Sequence, residues 1–72
     1  MKKLTKKEEE ILDRIDLFIC RVGGTKEFLI KALNKYGYDT EEATKTIKSL
    51  LEKEMLLDRG NIIYINRSIY NK

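Results

Sequence analysis

The chain has 72 residues and a net charge of +3, with 42% apolar and 38% charged residues. This length allows one small domain and no second one, and the many Ile and Leu residues exclude an intrinsically disordered chain. No apolar stretch approaches the roughly 18 residues of a membrane span, and no signal-peptide pattern follows the Lys-rich start. With one Cys and no His, the chain cannot build a zinc site or a Cys–His or Ser–His catalytic pair on its own.

The composition therefore predicts a protein that is not an enzyme and that has no metal and no cofactor. Cys20 cannot form an internal disulfide, which favours the reducing cytoplasm. We expect residues 1–72 to form one domain, with a core over about residues 5–65 and a C-terminal tail, 66–72, that has no clear periodicity.

The first predicted helix begins after Thr5. Glu8 follows three residues later, which is the spacing of a capping box. Apolar residues then recur at intervals of one, three and four and form one stripe: Ile11, Leu12, Ile15, Phe18, Ile19 and Val22. Gly23 and Gly24 are expected to end this helix, because glycine adopts the left-handed conformation at little cost.

A second helix is predicted to follow Thr25 as its N-cap. Gly37 is expected to stop it, with Tyr38 packing back on Leu33. The apolar residues of one side are Phe28, Leu29, Ala32, Leu33 and Tyr36.

A third helix is predicted directly afterwards, with Asp39 as N-cap and Glu42 at capping-box distance. Only a few residues separate helices two and three, which favours a sharp helix-turn-helix. The apolar residues of helix three are Ala43, Ile47, Leu50 and Leu51.

After Glu54 the hydrophobic period changes from that of a helix to that of a strand. Segments 55–57 and 62–65 are rich in strand formers and enclose Asp58-Arg59-Gly60-Asn61. Gly60 and Asn61 both tolerate positive φ, so the pattern predicts a tight hairpin. The predicted fold class is α+β, with three helices followed by a two-stranded β-hairpin; a short third strand near residues 22–24 is left open.

This order of elements resembles that of a winged helix-turn-helix, and the residues resemble this family as well. The match covers residues 8–65 and is similar to small winged-helix transcription regulators of archaea, viruses and bacteria. A more distant similarity is to the winged-helix module that ends archaeal minichromosome-maintenance helicases, which has a regulatory or interaction role. The residues that carry the resemblance are 25–29, Gly37, Ala43, Ile47, Leu50, Leu51, Leu56 and Leu57.

One position departs from the family pattern. A glycine usually precedes the apolar pair that starts the wing, and Met55 stands there in this chain. A side chain costs on the order of 1 kcal/mol in the left-handed conformation that glycine accepts. Helix three is therefore expected to run on or to end by a different turn.

The resemblance implies a transcription regulator that binds double-stranded DNA sequence-specifically, with helix three in the major groove and the hairpin as a wing on the backbone or minor groove. On helix three the candidate contacts to phosphates or base edges are Thr44, Lys45, Lys48 and Ser49. The alternative interpretation is an ordinary solvated face, because Glu and Lys alternate at i,i+4. Residues 39–54 contain three Lys and five acidic residues, so we expect the wing to supply more affinity than helix three.

The other candidate DNA contacts are Arg59 and Asn61 at the hairpin tip, Lys26 at the start of helix two and Arg67 in the tail. Arg59 is the best single candidate, because a cation on a projecting hairpin can meet a phosphate or enter the minor groove. The alternative is that these residues are ordinary polar surface, which hairpin tips, first helical turns and tails usually carry.

A homodimer is also expected, since two half-sites increase operator affinity. Its candidate contacts are Leu17 and Cys20, which point away from the apolar stripe of helix one, and Ile69 and Tyr70 near the C-terminus. An exposed Leu alone needs no explanation, and Cys20 can act as a small hydrophobic residue. The alternative function is a protein-docking winged helix inside a larger replication or transcription assembly, without direct nucleic-acid binding.

Overall fold

The computed structural model describes residues 4–19 and 23–69 of the chain. The elements in chain order are α1 (Lys6–Ile19), β1 (Gly24–Thr25), α2 (Lys26–Lys35), α3 (Thr40–Glu52), β2 (Leu56–Arg59) and β3 (Ile62–Ile65). The three strands form one antiparallel sheet in the order β1-β3-β2. The α+β class and the order of helices agree with the prediction, and the arrangement is consistent with a winged-helix layout.

The sheet has three strands and not the two of the predicted hairpin: β2 and β3 form that hairpin, and β1 adds a short strand next to residues 22–24, where a third strand was left open. Gly24 pairs with Ile63 and Thr25 with Ile62, so β1 lies along the free edge of β3. Gly23 allows this approach: its φ is 83°, and a Cβ atom at this position would lie 2.7 Å from the ring of Tyr64. Gly23, which we expected to end helix one and to lie near a possible third strand, therefore permits the edge strand to pack closely.

The core lies between the three helices and the inner face of the sheet. Its helical part contains the predicted stripes of α1 and α3, and Leu51 and Phe18 pack against it half-buried. Val22, the last residue of the predicted first stripe, lies outside the described residues. The fully packed core consists of Ile11, Leu12, Ile15, Ile19, Leu29, Leu33, Ala43, Ile47, Leu50, Met55, Leu56, Ile63 and Ile65.

The apolar side predicted for α2 is only partly buried. Leu29 and Leu33 are in the core, whereas Phe28 and Tyr36 are 49% and 51% exposed. Successive residues turn by about 100° around a helix, so Phe28 lies about 100° from its neighbour Leu29, outside the buried line. Tyr36 is the C-cap of α2 and follows the last helical residue. Of the five apolar residues predicted on one side of this helix, Leu29 and Leu33 are therefore the ones that are fully buried.

The predicted caps of α2 and α3 are present. Thr25 Oγ1 accepts a hydrogen bond from the N–H of Phe28 at 3.0 Å, and Asp39 Oδ1 accepts one from Glu42 at 2.7 Å. Gly37 has a φ of 95°. The N–H of Tyr38 donates to the carbonyl of Leu33 at 3.2 Å, which completes a Schellman motif.

The side chain of Glu42 differs from its prediction. A capping box would return this carboxylate to the backbone of Asp39. The carboxylate lies instead 3.0 Å from Nζ of Lys7. Helix α3 is therefore capped by Asp39 alone, and Glu42 joins it to the start of α1.

Helix α3 ends at Glu52 by the same Schellman motif, with Glu54 in the place of the glycine. The N–H of Met55 donates to the carbonyl of Leu50 at 2.9 Å, and that of Glu54 to Leu51 at 3.1 Å. Among the described residues Glu54 is the one non-glycine with positive φ, at 63°. Of the two expected outcomes, the helix does not run on but ends by a different turn, in which the left-handed residue is Glu54 and Met55 is buried in the core.

Asn66, which directly follows β3, holds the turn at the end of α3 in place. Its Nδ2 donates to the carbonyl of Glu54 at 2.8 Å. Its backbone N–H donates to the carbonyl of Met55 at 2.9 Å. The first residue of the predicted tail therefore belongs to the fold, and Ile69 also packs against the core.

Strands β2 and β3 are joined by Gly60 and Asn61 alone, because Arg59 already pairs with Ile62. Asp58 and Arg59, which we assigned to the turn, are the last residues of β2. Gly60 has a φ of 60° and Asn61 does not have positive φ, as in hairpin turns with glycine first. No helix in residues 4–19 and 23–69 has the length and apolar character needed to cross a membrane.

Candidate nucleic-acid interface

The outer face of α3 presents two of the predicted DNA contacts. Lys45 and Lys48 are exposed, and neither forms an ion pair with another described residue. Glu41 and Glu52 are exposed on the same helix. This face is therefore accessible to a ligand, but its positive and negative charges are balanced.

Thr44 and Ser49 lie closer to the protein than the helical pattern indicated. Both are half-buried, and the Ser49 hydroxyl donates a hydrogen bond to Oε2 of Glu8 on α1. Both α1 and the sheet pack against α3, so a larger part of its surface is covered than its apolar residues alone indicate. Ser49 therefore uses its hydroxyl proton inside the fold, which removes the donor that made it a candidate DNA contact.

Glu8 is the centre of a polar cluster that joins α1 to α3. It is 6% exposed. Its Oε1 accepts hydrogen bonds from the backbone of Thr5 at 2.8 Å and from Nζ of Lys53 at 2.5 Å. Burial raises the pKa of this carboxyl, but the hydrogen bonds from Lys53, Ser49 and Thr5 outweigh it and lower the pKa from 4.5 to about 2. The cluster stabilises the fold and offers no open position to a ligand.

The start of α2 and the hairpin meet in one shallow cleft. Lys26 and Asn61 line it together with Leu51 of α3, and both polar residues are exposed. Glu27 and Asp58 line the same cleft. The structure thus brings two predicted DNA contacts together, and it also sets two carboxylates beside them.

Arg59 is exposed at the end of β2. It has no salt bridge within the described part of the chain. Its guanidinium group is therefore available to an external anion. Arg67 differs, because its Nη2 lies 2.6 Å from Oδ1 of Asp16 on α1. This ion pair ties the tail to α1, so Arg67 does not simply extend the basic surface of the hairpin.

The predicted dimer contacts separate into three groups. Leu17 is 65% exposed on α1. Ile69 is half-buried against the protein's own core, so most of its surface is already used. Cys20 and Tyr70 lie outside the described residues.

Within the described residues, no three His, Cys, Asp or Glu side chains are grouped as metal ligands would be. Comparisons of the chain with protein-family models, with curated protein sequences and with solved structures gave no match.

Proposed function

We propose that this protein is a cytoplasmic, winged-helix transcription regulator that binds double-stranded DNA sequence-specifically. The observation that carries the proposal is a helix-turn-helix followed by a hairpin, in which Lys45, Lys48 and Arg59 are exposed and lack ion-pair partners among the described residues. In such an arrangement α3 enters the major groove and the hairpin follows the backbone or the minor groove.

Lys26 fits this mode of binding as a phosphate contact. It is the first residue of α2 and shares a cleft with Asn61 of the hairpin and Leu51 of α3. The first helix of a helix-turn-helix crosses the DNA backbone, where a cation and the positive end of the helix dipole both favour a phosphate.

The test is fluorescence anisotropy with labelled genomic duplexes at about 50 and about 200 mM salt. If Lys26, Lys45, Lys48 and Arg59 each neutralise one phosphate, log affinity should fall with log salt with a slope of about 3 to 4. Lys48→Glu should weaken binding strongly, whereas Lys31→Glu, a matched exposed lysine on α2, should have a much smaller effect. Absence of binding even at the lower salt would refute the proposal.

We further propose that the regulator is a homodimer in which Leu17 contributes to the contact. An exposed leucine on a terminal helix can pack against its own copy across a two-fold axis. Leu17→Glu should convert the dimer to a monomer in light scattering after size-exclusion chromatography. A wild-type protein that is monomeric at the concentrations at which it binds DNA would contradict the proposal.

The second candidate function is docking on another protein without nucleic-acid contact. One observation favours it: the exposed charges of α3 are balanced, with Glu41 and Glu52 against Lys45 and Lys48. Each carboxylate near a phosphate opposes binding. The salt series separates the two functions, because only a DNA-binding protein must show the steep dependence.

A further inference from the structure

A second exposed surface, unrelated to the candidate DNA contacts, lies between α1 and α2. Phe28, Ala32 and Tyr36 follow one another at i,i+4 along α2 and therefore form a stripe. Phe28 and Tyr36 are each about half exposed, at 49% and 51%, and Ala32 is half-buried. Phe28, Tyr36 and Leu17 are the exposed large hydrophobic residues of the described chain, and two of these three lie on this stripe.

Helix α1 forms the other wall of this surface. The ring of Phe18 lies 5.4 Å from that of Tyr36 at an interplanar angle of 44°. The guanidinium of Arg14 stands 4.8 Å from the centroid of the same Tyr36 ring. Arg14 and Tyr36 are both exposed, so the stripe is open to solvent along its length.

The rim of the stripe carries a cation on each side. Lys31 and Lys35 flank it on α2 and are exposed, and Arg14 flanks it on α1. Residues 28–36 contain no acidic residue. On α1, Glu10, Asp13 and Asp16 line a cleft together with Arg14, and Asp16 is paired with Arg67. The excess of cations therefore lies on the α2 side of the stripe, at Lys31 and Lys35.

This surface points away from the candidate DNA contacts. Lys26 lies roughly 120° around α2 from the centre of the stripe, in the cleft that faces the hairpin.

We infer that the stripe Phe28-Ala32-Tyr36 is a docking site for an acidic, amphipathic segment of another protein. Apolar side chains of the segment would pack on Phe28 and Tyr36, and its carboxylates would face Arg14, Lys31 and Lys35. The distance from Phe28 to Tyr36 along α2 is about 12 Å, which matches roughly two turns of a helix. This inference does not rest on DNA binding, because it uses a different face.

The experiment titrates the ¹⁵N-labelled full chain with two helical peptides of about 14 residues. Both carry Leu and Phe at i, i+3, i+4 and i+7; one has Glu at the remaining positions and the other has Lys. The Glu peptide should shift the amide signals of residues 14–18 and 28–36, and the Lys peptide should not. Phe28→Ser should weaken the binding of the Glu peptide about tenfold, and Lys31→Glu about threefold.

Lys48→Glu is the matched control on α3 and should leave peptide binding unchanged. In the DNA titration the order is reversed, because there Lys48→Glu should weaken binding more than Lys31→Glu. Failure of one proposal can therefore be told apart from failure of the other. Equal binding of both peptides, shifts confined to other residues, or equal effects of Lys31→Glu and Lys48→Glu would overturn the inference. Shifts of residues 28–36 that depend on protein concentration alone would assign the stripe to a second copy of this chain and would overturn it as well.

Discussion

The carboxylate of Glu8 lies 2.5 Å from the ammonium group of Lys53, and this ion pair joins the first turn of α1 to the C-cap of α3. Glu8 also caps its own helix, because its backbone N–H donates to Thr5 Oγ1 at 3.1 Å and its side chain accepts from the N–H of Thr5. The Glu8 side chain therefore takes part both in the N-terminal cap of α1 and in the contact between α1 and α3. Replacing Glu8 should weaken both.

The stability of the fold should depend on pH in the acid range through Glu8. The pKa of this carboxyl is lowered from 4.5 to about 2, so the unfolded chain takes up a proton at a higher pH than the folded one. The stabilisation is complete above pH 4.5 and is lost as the pH falls to about 2. The shift corresponds to about 3 kcal/mol of unfolding free energy, measurable by urea denaturation across this window.

Glu8→Gln should remove this part of the acid dependence and lower stability near neutral pH by about 2 kcal/mol. The substitution keeps the shape of the side chain but leaves the half-buried Lys53 ammonium without its counter-charge. Glu9→Gln is the matched control, because Glu9 is exposed in the same first turn, and it should change stability by less than about 0.5 kcal/mol. Equal effects of the two variants would show that the helix dipole, and not the cluster, is responsible.

Ser49→Ala should destabilise the protein by about 1 kcal/mol and leave its affinity for DNA unchanged. The hydroxyl of Ser49 donates to the buried Glu8 carboxylate, and its loss leaves one oxygen with fewer donors. Urea unfolding and DNA anisotropy on the same preparation measure both quantities. A stable variant that loses DNA affinity would restore Ser49 as a DNA contact.

Local signals in the sequence predicted the helix caps, and they could not predict what the cap residues do in three dimensions. Thr5 and Glu8 are three residues apart, so their capping box is visible in the chain. Ser49 is 41 residues from Glu8, and no periodicity relates the two. The same limit applies to Phe28 and Tyr36, since the width of the buried arc of α2 depends on where α1 packs.

The left-handed residue at the end of α3 lies one position before the one that the sequence pattern indicated. The family resemblance predicts this residue at position 55, where Met55 replaces the usual glycine. The Schellman bonds place Glu54 at the left-handed position instead. Nothing in the sequence marks Glu54 for positive φ, and its partner Asn66 follows after both strands of the hairpin.

Glu54→Gly should stabilise the protein by about 0.5–1 kcal/mol, because glycine removes the steric cost of a φ of 63°. Met55→Gly should destabilise it by about 2–4 kcal/mol, because the Met55 side chain is 5% exposed in the core. Thermal and urea unfolding of the two variants decide the register of the turn. The opposite order of stabilities would place the left-handed residue at Met55.

If the protein binds DNA as proposed, the hairpin and α3 should contribute unequally to the affinity. The exposed face of α3 carries two lysines and two glutamates, whereas Arg59 has no ion pair among the described residues. Asp58 precedes Arg59, but side chains alternate across a strand, so the two point to opposite faces of the sheet. We therefore expect the hairpin to contribute more affinity than α3.

Arg59→Ala should remove one phosphate contact, weaken binding to all duplexes about equally, and reduce the salt slope by about one. Lys45→Ala or Lys48→Ala should instead alter the discrimination between duplexes, by about 1–3 kcal/mol for a lysine that reaches a base edge. Unchanged affinity in Arg59→Ala, together with lost affinity in Lys48→Ala, would reverse the ranking of hairpin and helix. If none of these variants changed the affinity of a protein that still binds DNA, the duplex would have to lie against another face, and the cations Arg14, Lys31 and Lys35 beside the aromatic stripe would be the next residues to replace.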